Sequence, residues 1–164
     1  MTEADYPPGV IAEAVAAARA LLRLEGVGEE ALLAATVVTA LRLAEAFAGQ
    51  RLIGRAFEDR VAADGAWHRL SAEPVTAITG GAHATDIDAD GIGWVRASGG
   101  GVVAVSYVAG LAGSWGAVPP PLAQGVAMLA AHLFEHRERD SAPPAAIAAL
   151  WRPWRRVRVG SARR

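Results

Sequence analysis

Residues His132-Leu133-Phe134-Glu135-His136 spell the H-x-x-E-H order of a zinc hydrolase. On a helix the two histidines fall four apart and share one side, a spacing that suits a metal ion. A third protein ligand must come from a downstream segment, and only Glu138 and Asp140 follow, both at the end of the same helix. His132 and His136 also flank an apolar stripe, where packing histidines are ordinary, so a structural pair is the expectation and a zinc hydrolase the alternative. A second candidate, Asp86-Ile87-Asp88-Ala89-Asp90-Gly91, copies the opening of a calcium-binding loop. That chemistry needs a bidentate carboxylate at the twelfth position, which is Ala97. An Asp-Gly turn in a β-hairpin fits the same letters and is preferred.

The remaining residue types exclude further chemistry. The chain has no cysteine, so thiolate ligands, a Cys nucleophile and disulfides are out. It has no lysine and no G-x-x-x-x-G-K-[ST] phosphate cradle. Gly91-Ile92-Gly93 is followed by Arg96 where a dinucleotide fingerprint needs its third glycine. Ser106 and Ser114 lack the G-x-S-x-G setting of a hydrolase nucleophile. The expectation is a non-enzymatic protein with no cofactor, no catalytic residue and no metal.

Charge is unevenly placed. Residues 1–50 hold seven acids and three arginines, a balance of −4, whereas residues 151–164 hold six arginines and no acid, giving +6. Such asymmetry points to a partner for the basic end, either nucleic acid or an acidic protein surface. The 52% hydrophobic and 20% charged residues of the 164-residue chain are the balance of one folded domain. The N-terminus is acidic and unlike a signal peptide, and Thr36, Thr39, Arg42 and Gln124 interrupt the longest apolar stretches. A soluble cytoplasmic protein without a membrane segment is expected.

The elements that must position these residues read as α+β, mainly helical, with about four helices and a small antiparallel β region inserted between the second and third. Val10, Ala14, Ala17, Leu21 and Leu24 have amphipathic helical spacing over 10–24. A second helix spans 29–48, with Glu29 and Glu30 at its positive end and Gly49 as its stop. Its polar positions Thr36, Thr39, Arg42 and Glu45 form one drifting stripe, and a helix otherwise so apolar must be covered on most sides. Short alternating runs over 51–109 predict strands at Trp67–Leu70, Val75–Ile78, Trp94–Val95 and Val102–Val108. Ala63-Asp64-Gly65, Gly80-Gly81, Asp90-Gly91 and Gly99-Gly100-Gly101 supply turns. Pro119-Pro120-Pro121 opens a third helix over 122–139 with Leu122, Val126, Leu129 and Leu133 buried, and a fourth spans 143–151 before Pro153. A single domain over 1–159 with a basic tail at 160–164 follows.

Three segments in order carry a resemblance. Tyr107-Val108-Ala109-Gly110 ends a strand, Val118-Pro119-Pro120-Pro121-Leu122 opens a helix that finishes Phe134-Glu135-His136-Arg137, and Leu150-Trp151-Arg152-Pro153-Trp154-Arg155 closes the chain. This series resembles the head–tail connector (adaptor) family of long-tailed phages, prophages and gene transfer agents. Gly49-Gln50-Arg51-Leu52 is similar to that family's turn after the long helix, with Gln50 inserted. The resemblance implies a structural subunit of a dodecameric ring beneath the portal, prolonging the DNA channel toward a stopper or tail-side connector, without cofactor or catalysis. It implies localisation in the producing bacterium's cytoplasm during assembly and then at the head–tail junction. Portal docking is expected of Trp151, Arg152, Trp154, Arg155, Arg156, Val157 and Arg158, since Trp and Arg favour interface centres and Arg156-Val157-Arg158-Val159 alternates like a strand. A small DNA-binding protein using the same arginines is the main alternative.

Overall fold

The computed structural model describes residues 1–23, 28–82, 84–137 and 142–156. Two compact units emerge. One comprises Met1–Pro7 and Arg51–Ala117, and the other Pro8–Gln50 and Val118–Arg164.

The first unit is a five-stranded antiparallel sheet of β1 (Thr2–Glu3), β2 (Arg55–Arg69), β3 (Val75–Gly80), β4 (Ala84–Ile87) and β5 (Gly93–Ala109). β5 is central. β2 pairs along one side of it, from Arg55 opposite Ala109 to Arg69 opposite Trp94. On the other side β3 pairs with the C-terminal half of β5 and β4 with the N-terminal half. The small β region expected from the sequence is therefore an extensive sheet, with strands of 15 and 17 residues at its centre. Two of the expected turns do not reverse the chain. Ala63-Asp64-Gly65 and Gly99-Gly100-Gly101 lie inside β2 and β5, where the register shifts between Ala62 and Trp67. Facing excursions in two paired strands absorb turn-forming residues as bulges, so pairing resumes beyond them. The turn at Asp90-Gly91 does reverse the chain, joining β4 to β5 as expected.

Burial alternates along β2, with Arg55, Phe57, Asp59, Val61 and Ala63 inward, as one covered sheet face requires. Phe57, Val61, Leu70, Val75, Val95, Val105 and Tyr107 form this core. The N-terminal strand, invisible in the sequence pattern, is tied in by Arg55, whose guanidinium bonds Glu3 and the Ile53 carbonyl.

The second unit contains α1 (Pro8–Leu22), α2 (Glu30–Ala48), α3 (Pro120–Glu135) and α4 (Ala145–Trp151). α3 packs against the other three. The four expected helices are all present, with ends moved by a few residues; Leu24 and Arg139 lie outside the described residues. Of the residues with amphipathic spacing in α1, Val10 and Ala14 are buried, with Val15 and Ala18 beside them, whereas Leu21 is exposed. In α2 the polar stripe drifts as its three-residue spacing demands. Nine residues carry it half a turn round the helix, so Thr39 and Arg42 face solvent while Glu45 is buried. α2 is long and apolar enough to cross a membrane by composition, yet Leu33, Val37, Ala40, Leu41 and Ala44 are buried within its own unit.

Candidate partner-binding surface

The basic C-terminal segment begins where α4 ends. α4 is short, and its hold on the unit comes from Ile147 and Trp151, both buried. Trp151 is 4% exposed. Its indole Nε1 donates to the Leu122 carbonyl at 3.4 Å, and its ring lies 5.8 Å from Phe47. The space it fills exists because residue 125 is glycine, where a Cβ would fall 2.2 Å from the indole nitrogen. Trp151 is thus a packing residue of its own chain.

Past Trp151 the chain makes a 3-10 turn, Arg152–Trp154, and runs along the C-terminal end of α2. The Gln50 side-chain amide donates to the Trp154 carbonyl at 2.8 Å, and the Arg156 amide donates to the Ala48 carbonyl at 2.8 Å. The Ala48 carbonyl is one that a helix C-terminus leaves unpaired within the helix. Gly49 caps α2 with φ 69°, and a Cβ there would stand 2.8 Å from the Arg156 carbonyl oxygen. Glycine is needed twice, for the left-handed cap and for the close approach of the strap. Among the seven residues expected to dock a partner, Arg152 and Arg155 are exposed and Trp154 and Arg156 half-buried. Arg155 also sits 5.9 Å over the Phe47 ring. Val157 and Arg158 lie outside the described residues. Gln50, which holds this strap, gave no signal in the sequence beyond its position as an inserted residue.

Beside the strap, Leu43, Phe47, Leu129, Pro144, Ile147 and Trp151 line an apolar groove of about 260 Å³. Leu43 is 47% exposed at its edge.

The motif residues that suggested a family act as joints. Arg137, at the end of the Phe134-to-Arg137 run, donates to the Phe134 carbonyl and to Glu29 at 3.0 Å, linking the end of α3 to the start of α2. Tyr107 sends its hydroxyl to Asp59 Oδ2 at 3.1 Å and accepts the Ala72 amide at 3.1 Å. Burial holds its phenol above the usual range. Ser71 donates its hydroxyl to Asp59 Oδ1 at 2.8 Å. A polar hollow of about 340 Å³ opens here, lined by Asp59, Arg60, His68, Arg69 and Ser71. His68 meets a different carboxylate, Asp64, at 2.8 Å, so Ser71 and His68 do not form a nucleophile–base pair.

His132 and His136 stack with ring centres 4.3 Å apart, and His136 Nδ1 lies 3.0 Å from the His132 carbonyl oxygen. No group of three potential ligands gathers among the described residues, and Glu138 and Asp140 are outside them. The aspartate loop is a hairpin turn organised by one carboxylate. Asp88 Oδ1 accepts the Asp90 and Ile92 amides, and Oδ2 the Trp94 indole. The Ile92 amide above all holds the Asp88 carboxyl below its ordinary range.

No family model and no curated protein matches the chain. Solved structures do. A chain from the neck of an empty gene transfer agent particle, computed with C6 symmetry, is 28% identical, with a TM-score of 0.78 over 99% of this chain and 98% of that one. A chain of the native gene transfer agent virion matches with a TM-score of 0.74, also at 28% identity, over 98% and 97%. A third, from a native neck computed with C12 symmetry, covers both chains entirely at 28% identity and a TM-score of 0.69. The likeness is to a particle neck. It spans both units, so the sheet and the helices are shared together rather than one of them alone.

Proposed function

We propose that this protein is a non-enzymatic structural subunit of the neck of a phage-like particle of the gene transfer agent kind. The observation that carries the reading is the full-length likeness, at 28% identity, to chains of gene transfer agent particles, two of them from necks computed with C6 and C12 symmetry. In this reading the chain is a head–tail connector, and twelve copies form a ring that prolongs the DNA channel between the portal and a stopper or tail-side protein. Closed rings use heterologous contacts, which bury apolar surface on each copy. Joints made of Tyr107, Arg137, Gln50 and Gly49 suit a part whose task is shape.

The portal is contacted by the C-terminal strap, through Arg152, Trp154, Arg155 and Arg156 and the following Val157 and Arg158. The arginines pair with portal carboxylates, bidentate where geometry allows. Trp151 supports this surface from behind. Rings of the same particle's portal protein provide the test. Arg152→Glu with Arg155→Glu is expected to abolish binding while circular dichroism and the unfolding midpoint stay unchanged, because both side chains are exposed. Truncation must follow Arg156, since removing Trp151 would damage the helical unit itself. A doubly substituted variant that still binds portal rings, but loses salt-sensitive affinity for duplex DNA, would make the segment a nucleic-acid arm instead.

A further inference from the structure

The outward face of α2 is uncharged along most of its length. Leu32, Ala35, Thr39, Leu43 and Ala46 are exposed and recur every three or four residues, one straight stripe about 21 Å long. Leu32 and Leu43 are 41% and 47% exposed. The threonines do not make the face polar. Thr39 Oγ1 donates to the Ala35 carbonyl at 3.0 Å, and Thr36 Oγ1 to the Leu33 carbonyl at 2.8 Å. With each hydroxyl proton bonded to its own helix backbone, neither threonine has a free donor to offer a partner. At its C-terminal end the stripe runs through Leu43 into the apolar groove. Arg42 is the charge at its edge. A solvated helix normally carries charge on its outer face, and an apolar stripe of this length marks a contact surface.

We infer that this stripe is the contact between neighbouring copies, and that α1 of the next copy covers it. The inference rests on the ring reading above, in which every copy has two unlike flanks. The outer face of α1 has the complementary character. Ala12, Ala16 and Ala20 are exposed, small enough to let another helix come close and to receive Leu32 and Leu43 between them. Its exposed charge is Glu13, opposite in sign to Arg42. Neither Glu13 nor Arg42 forms an ion pair within its own chain among the described residues. α1 and α2 already pack together inside one copy. Placing α1 of one copy on α2 of the next continues the same helical layer from copy to copy, the arrangement a closed heterologous ring needs.

The chain has no cysteine, so an introduced pair reports cleanly. Full-length protein carrying Ala16→Cys and Thr39→Cys, mildly oxidised, is expected to give a ladder beyond the dimer on a non-reducing gel. Either single variant should stay monomeric there. In native mass spectrometry Arg42→Glu and Glu13→Arg should each weaken self-association on the order of tenfold, and the two together should restore it. A double cysteine variant that yields no ladder overturns the inference, as does a failure of the charge exchange to restore assembly. Dimers from Thr39→Cys alone would instead mean α2 against α2. Liposome flotation that Leu43→Asp abolishes, with self-association intact, would assign the stripe to a lipid surface. If wild-type rings form and the ladder does not, only this interface is wrong. If labelled protein in purified particles lies away from the neck, the connector reading itself fails.

Discussion

Tyr107 concentrates the logic of this fold into one hydroxyl group. The ring stacks on Phe57 in the core of the sheet, with centres 5.6 Å apart, while the hydroxyl reaches Asp59 on β2 and the loop at Ala72. One buried side chain thereby joins the central strand, its neighbour and the connection to β3. Replacing it with Phe keeps the ring but leaves the Ala72 amide and part of the Asp59 carboxylate without their partner. The expected cost is about 1–2 kcal/mol, read as a lower urea midpoint at unchanged slope. The same residue sets an alkaline limit. Because burial raises its phenol, the folded protein holds that proton more tightly than the unfolded chain does. Its contribution is complete below about pH 10, the unfolded value, and is lost as pH rises through the folded one. Tyr107→Phe should therefore flatten the fall in stability above pH 10, and an unchanged alkaline profile would show that another group governs it.

Among the elements, α2 and α4 depend on burial in different ways. Val37 and Leu41 are completely buried in α2. Leu41→Asp should cost several kcal/mol, since the carboxylate enters the core without a cation to meet it, and should leave little soluble folded protein. Leu32→Asp, on the exposed stripe of the same helix, should leave the unfolding midpoint of the unassembled chain nearly unchanged. α4 is too short to persist alone and relies on Trp151. Trp151→Ala should cost about 3–5 kcal/mol, and protease cleavage near residues 142–156 should then precede global unfolding. If the cleavage pattern of that variant matches the parent's, α4 is held by something other than its tryptophan.

For the molecule as a whole, the uneven charge has a measurable consequence. The exposed Arg152 and Arg155 pair with a portal in the proposed assembly, and such pairs are screened as the Debye length falls from about 10 Å at 0.1 M salt to 3 Å at 1 M. Portal binding should therefore weaken steadily with added salt, whereas contacts along the α2 stripe should hold or strengthen. Measuring ring mass and portal binding across one salt series separates the two surfaces. Loss of both together would place the arginines in the contact between copies.

Local signals in the sequence determined the helices. Proline before α3 and α4, glycine after α2 and the three-and-four spacing of apolar residues all act within a few positions, so the helical elements were legible without a partner. The order of short motifs likewise pointed to a phage-like particle, and the solved neck chains agree at that level. The extent of the sheet was decided elsewhere. Ala63-Asp64-Gly65 within β2 and Gly99-Gly100-Gly101 within β5 read as turns until each strand is seen facing the other's bulge, an event between residues dozens of positions apart. The fate of Trp151 was equally non-local: whether it faces a partner or its own core depends on the missing side chain at Gly125. Gln50 and Trp154 stand 104 positions apart, and no periodicity relates them. Secondary structure here follows from near neighbours along the chain; which tryptophan is buried, and which stripe of α2 is left bare, follows from packing in space.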